Sequence, residues 1–141
     1  VAETASQCDN MFGKRLYQIR ARCALPILAR QAASRKPIYY EALAVELAMP
    51  NPRNLNYVLG SIGTTLNELS RKHGWGEIPQ IQSLVINQHR RLPGHGFEGF
   101  LAEKMSVYRN LSVMEKRAYL DAYWHEIYAY PIGPMFSKRA S

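Results

Sequence analysis

With 141 residues, 47% hydrophobic and 21% charged, the chain has the length and composition of one folded domain, and no apolar run approaches the roughly 20 residues of a membrane span. Its formal charge of +7 points to a polyanionic partner, because neutralising phosphates supplies much of nucleic-acid affinity. Two cysteines, Cys8 and Cys23, form neither a disulfide framework nor a zinc motif, and the polar start from Val1 to Asn10 does not read as a secretory signal; reduced thiols in the cytoplasm are expected. The missing initiator Met suggests a trimmed chain or a fragment of a longer one.

Between Asn10 and Ala24, Phe12, Leu16, Ile19 and Cys23 share a helical stripe, with Lys14, Arg15, Arg20 and Arg22 off it. Pro26 should end or kink this helix, leaving a short second piece from Ile27 to Ala33. Tyr40 to Leu47 reads as a compact helix turning Leu43, Ala44 and Leu47 inward. In the turn Met49-Pro50-Asn51-Pro52, Asn51 fits an N-cap and Pro52 a first helical position.

Leu55, Val58, Leu59, Ile62, Leu66 and Leu69 then recur at three- and four-residue steps up to His73-Gly74, the strongest period in the chain. Gly60 and Gly63 weaken this helix intrinsically and suit close packing of another backbone or a ligand. Its other face carries Arg53, Asn54, Asn56, Tyr57, Thr64 and Asn67. Two helices joined by a tight turn make a helix-turn-helix. The β-prone run Ser83-Leu84-Val85-Ile86 and the basic turn from Gln88 to Gly96 then fit a wing. Helices are expected from Phe97 to Tyr108 and from Ser112 onward, where Ser112 and Glu115 have capping-box spacing. Val113, Leu120, Tyr123, Trp124 and Ile127 would form the last helix's apolar face.

The reading is therefore a mainly α fold with a small β wing, one domain over 1–141. N-terminal helices occupy 1–36, a winged helix-turn-helix 37–97 and C-terminal helices 98–141.

The segment from Pro37 to Phe97 resembles the DNA-binding domain of alkylguanine-DNA alkyltransferases and alkyltransferase-like proteins. Tyr40, Leu43 and Ala44 match the family's Tyr-x-x-Leu-Ala, Pro50 or Pro52 its turn, and Leu59-Gly60 its Val-Gly pair. Ile78-Pro79 precedes a strand, and Gly94, Gly96 and Phe97 resemble its closing loop. The resemblance implies a winged helix on DNA, with Tyr40 against the phosphate of the target nucleotide. It does not extend to the active site. Where the family has its Cys-His pair, this chain offers Leu84 or a neighbour in Gln82-Ser83-Leu84-Val85-Ile86, so a thiolate nucleophile is missing there. The family's finger arginine falls near Tyr57 or near Asn54, depending on the direction of counting.

Other constellations carry little chemistry. His73, His89, His95 and His125 lack a zincin spacing, Glu98 and Glu103 read as helix surface, and no Gly-rich loop precedes Lys-Ser or Lys-Thr. The aromatic residues Tyr119, Tyr123, Trp124, Tyr128 and Tyr130 are expected to pack on the first helix, with base stacking as the sharper alternative.

The function expected is duplex DNA binding, of modified or distorted DNA, with no catalytic residue, metal or cofactor and no membrane association. Lys36, Arg53, Asn54, Asn56 and Tyr57 would face the groove beside Tyr40, and His89, Arg90 and Arg91 would grip the backbone as a wing. Asn54 and Asn56 are candidates for bidentate adenine recognition. Two rival readings remain. One is a defence-system or phage-encoded regulator that docks a protein on an apolar patch around Trp124. The other is the recognition fragment of a larger DNA-processing enzyme.

Overall fold

In the computed structural model, which describes residues 8–101, 104–130 and 132, the chain enters its first helix, α1, at Leu16 and leaves it at Ala33. Pro26 does not divide it. Pro26 and Arg22, whose carbonyl loses its helical donor, are both exposed residues, so the lost bond lies on the solvent side of the helix, away from the buried face. The stripe expected to face the core faces outward instead: Phe12 and Leu16 are each 59% exposed, Ile19 is 41% exposed, and Cys23 is exposed. Ala21, Ala24, Leu25, Leu28 and Ala32 form the buried face. The helix carries apolar residues on both sides, and the side with alanines lets a neighbouring helix approach closely.

A two-residue strand, β1 (Ile38–Tyr39), leads directly into helix α2 (Tyr40–Glu46), which buries Leu43 and Ala44. The Asn51 side chain caps the next turn by accepting from the Arg53 N–H at 3.0 Å, and Pro52 opens a 3-10 turn, Pro52–Asn54. Helix α3 (Leu55–His73) follows without interruption and ends at Gly74, whose left-handed φ of 64° suits glycine. Leu55, Val58, Leu59, Ile62 and Leu66 are buried together, as their period predicts, and α3 packs along α1.

The run expected as a strand is mostly a 3-10 turn, Ile81–Leu84; only Val85–Ile86 forms β2, paired in parallel with β1 (Ile38 opposite Val85, Tyr39 opposite Ile86). The single helix expected from Phe97 to Tyr108 is a 3-10 turn, His95–Phe100, and a short helix α4, Met105–Arg109. Gly96 and Gly99 weaken α-helix formation there. Glu103 and the side chain of His95 lie outside the described residues. Helix α5 (Val113–Ala129) begins with the expected capping box: Ser112 Oγ accepts from the Glu115 N–H at 3.2 Å, and a Glu115 carboxylate oxygen accepts from the Ser112 N–H at 2.9 Å. It buries Leu120, Trp124 and Ile127, while Val113, expected on the same face, is 36% exposed.

Gly63 explains one of the two glycines inside α3. A Cβ built there would lie 2.6 Å from both Gln82 Nε2 and the Phe100 ring. Gly63→Ala should gain about 1 kcal/mol in helix propensity and lose about 1–3 kcal/mol through overpacking. Both neighbours are buried and Gln82 is hydrogen bonded, so the clash is expected to win and the denaturation midpoint to fall. A rise in midpoint would contradict this packing.

Candidate functional site

Parallel pairing of β1 and β2 places the start of α2 beside the chain that leaves β2. Tyr40, the first residue of α2, therefore reaches Gly94, whose N–H donates to its hydroxyl oxygen at 2.5 Å. Burial raises the Tyr40 pKa and the Gly94 bond opposes that only in part. The phenol stays neutral, and with its oxygen already accepting, its own proton is available to a ligand.

Tyr40 and Gly94 stand at the edge of a cavity of about 70 Å³. One wall is α3, through Asn56, Leu59 and Gly60; the other is the loop from Pro93 to Phe97, with Phe100 and Gln82. Asn56, Gly60, Gly63 and Asn67 lie at steps of four, three and four along α3, making a small and polar stripe beside the apolar one. A chain of side-chain amides runs behind it. Gln82 Nε2 donates to Gln80 Oε1 at 2.7 Å, and Gln80 Nε2 donates to Asn67 Oδ1 at 3.1 Å. Gln82 Oε1 and Asn56 Oδ1 are buried without a hydrogen-bond partner among the described residues.

A second cleft, of about 250 Å³, shares Tyr40, Pro93 and Gly94 with the first. Arg90, Lys116, Tyr108 and the buried Glu98 line it. Lys116 lies 5.2 Å from the centre of the Tyr108 ring, and Glu98 is paired with Arg109 at 3.0 Å. Burial, and then the Glu98 charge, push the Tyr108 hydroxyl up to about 12, so it too is neutral.

Of the nine residues expected to bind DNA, the first cavity brings together Tyr40 and Asn56, and the second cleft Tyr40 and Arg90. Arg53 and Asn54 are exposed in the turn before α3, and Tyr57 is 41% exposed with its ring 6.3 Å from that of Tyr17. Asn56 does not join them on a free face, since its Oδ1 is buried and the residue lines the cavity with Tyr40. Arg90 reaches the second cleft, and its carbonyl accepts two bonds from Arg117, at 3.0 and 2.7 Å. Arg91 is tied inward: at φ 57° it donates to the Tyr39 hydroxyl at 2.9 Å and lies over that ring at 6.0 Å. Lys36 and His89 are exposed and line neither cavity. The Asn87–Leu92 loop holds its form through Asn87, whose side-chain oxygen accepts from the N–H groups of His89 and Arg90.

Three features escaped the sequence reading. Gln82, Phe100 and Lys116 are distant in sequence and had no motif. Glutamines at 80 and 82 inside an otherwise apolar run were the available sign of a buried polar network. The charge distribution was also legible and missed: residues 10–40 hold seven basic residues and no acidic one, as large as the whole net charge of +7. Of the aromatic residues near the C-terminus, Trp124 is buried, and Tyr119, Tyr123, Tyr128 and Tyr130 are partly buried against the core. Trp124 is 9% exposed and donates to Ser83 Oγ at 3.2 Å, and the Tyr123 hydroxyl accepts from the Gln80 N–H at 2.7 Å. The apolar patch expected around Trp124 is thus not at the surface.

Neither thiol lines the cavity. Cys8 is buried, with its pKa raised first by desolvation and then by Asp9, and Cys23 is exposed on α1. Incubation with alkylguanine-containing DNA is expected to leave both unmodified; stoichiometric alkyl uptake in an intact-mass measurement would refute this. Among the described residues, no three His, Cys, Asp or Glu groups stand together to hold a metal ion, and no helix is long and apolar enough to cross a membrane. Compared with protein-family models, curated proteins and solved structures, the chain has no significant match.

Proposed function

We propose that the chain binds duplex DNA as a winged helix-turn-helix and receives an unpaired or altered base in the cavity beside α3, without catalysing a reaction. The observation that carries this reading is the dual use of the α3 entry. Arg53, Asn54 and Tyr57 are exposed there, while Asn56, in the same turn, lines a cavity of mostly apolar walls and a few converging polar groups. Arg90 and Lys116 in the adjoining cleft supply cations for the backbone, with the Asn87–Leu92 loop as the wing. Titration against matched, methylated, mismatched and abasic duplexes tests it. Tighter binding to at least one altered duplex is expected, and equal affinity for all of them would remove the base-reading role.

A protein partner is the second reading, favoured by the outward stripe of Phe12, Leu16, Ile19 and Cys23. The uniformly basic segment around it suits an acidic, amphipathic partner. Capture of an acidic, amphipathic partner that is lost in Leu16→Ser, while duplex binding is unchanged by that substitution, would support that alternative.

A further inference from the structure

Resting on the reading that a base enters the cavity beside α3, we propose that this cavity takes a planar heterocycle through an exocyclic amino group, and that Gln82 determines the selection. The direction of the amide chain carries the inference. Gln80 Nε2 donates to the Ile78 carbonyl, at 3.4 Å, as well as to Asn67. A backbone carbonyl only accepts, so the Gln80 amide nitrogen belongs on that side and its oxygen toward Gln82. Gln82 must then present its nitrogen to Gln80 and its oxygen to the remaining space. Gln82 is 3% exposed and its oxygen has no partner among the described residues, so it waits for a donor. Asn56 Oδ1, in the same cavity wall, is a second buried acceptor in the same condition.

The other walls suit a flat ring. Leu59, Phe97 and Phe100 supply apolar surface, and the Tyr40 hydroxyl, accepting from Gly94, has its proton to donate. Two acceptors and one donor complement an amino group beside an unprotonated ring nitrogen, the pattern on the pairing edges of cytosine and adenine. Thymine, with carbonyl groups flanking its N–H, would set oxygen against the amide oxygens. Gly63 makes the arrangement possible, because any Cβ there would displace both Gln82 and Phe100.

The test has two arms, because the same heterocycle could arrive within DNA or as a free nucleoside. In the first arm, duplexes with one unpaired cytosine, adenine or thymine at the same position are titrated. Cytosine and adenine are expected to bind about tenfold tighter than thymine, the scale of one good base contact. Gln82→Leu should bring the three within about twofold of one another, and Asn56→Ala should narrow the gap by itself, which covers the case in which the Gln82 variant does not fold. In the second arm, deoxycytidine, deoxyadenosine and thymidine are added while the ring resonances of Phe97 and Phe100 are followed. Shifts with the first two alone, and no duplex binding, would uphold the selectivity and sink the DNA reading. Duplex binding without preference among the three bases would do the reverse. Silence in both arms, as expected if the two acceptors hold only water, would overturn the proposal.

Discussion

DNA affinity is expected to fall by about a thousandfold or more between 50 and 200 mM salt, as for proteins that make roughly six or more phosphate contacts. The charge supports this magnitude: seven cations lie in residues 10–40, of which Arg30 is paired with Glu46 at 2.7 Å, and Arg90, Lys116 and Arg117 lie around the second cleft. Which cations engage is separable. Arg90→Ala removes a charge whose side chain has no ion pair among the described residues, so it should weaken all duplexes alike and lower the logarithmic salt slope by about one. Arg91→Ala should differ, because Arg91 is bonded to Tyr39 and its loss also loosens the loop that β1 supports. Asn54→Ala changes no charge and should matter only for the preferred site, by about 1–3 kcal/mol. A flat salt response, or no binding at low salt, would remove DNA from the account and leave the protein-partner reading.

Leu66→Ala is expected to destabilise the fold by about 2–5 kcal/mol, the range for truncating a packed leucine. Leu66 is fully buried in α3, in the same cluster as Leu55, Val58 and Ile62. Neighbours held on a long helix relax little into the space vacated, which keeps the cost within that range. Leu16→Ala is the control, since a side chain 59% exposed has little packing to lose. Chemical denaturation of both variants distinguishes them. Similar midpoints would mean that α1 is turned over and that its Leu16 face belongs to the core.

That comparison isolates what the sequence alone determined. In α3 one apolar stripe at helical spacing, with Gly74 after it, admitted one solution, so the helix, its buried face from Leu55 to Leu66 and its C-terminal end were readable, while Asn51 and Pro52, expected to open it, open a 3-10 turn that precedes it. The Ser112–Glu115 capping box was readable because capping is local chemistry within one turn. In α1, by contrast, local rules allowed two faces. Leu16 and Ile19, with Phe12 in the turn before the helix, are all large, yet the face of Ala21, Ala24, Leu25, Leu28 and Ala32 went inside because its alanines let α1 and α3 approach. Size alone is a poor guide when fit against a partner helix decides. The cavity was still less accessible to sequence. Tyr40, Asn56, Gln82 and Phe100 meet through the pairing of two residues of β1 with two of β2 and the packing of α3 on the two 3-10 turns. Such a short pairing leaves almost no periodic trace. The unpaired oxygens of Asn56 and Gln82 are also properties of the assembled fold: an amide at either position would be satisfied by water in the open chain, and only tertiary packing takes that water away.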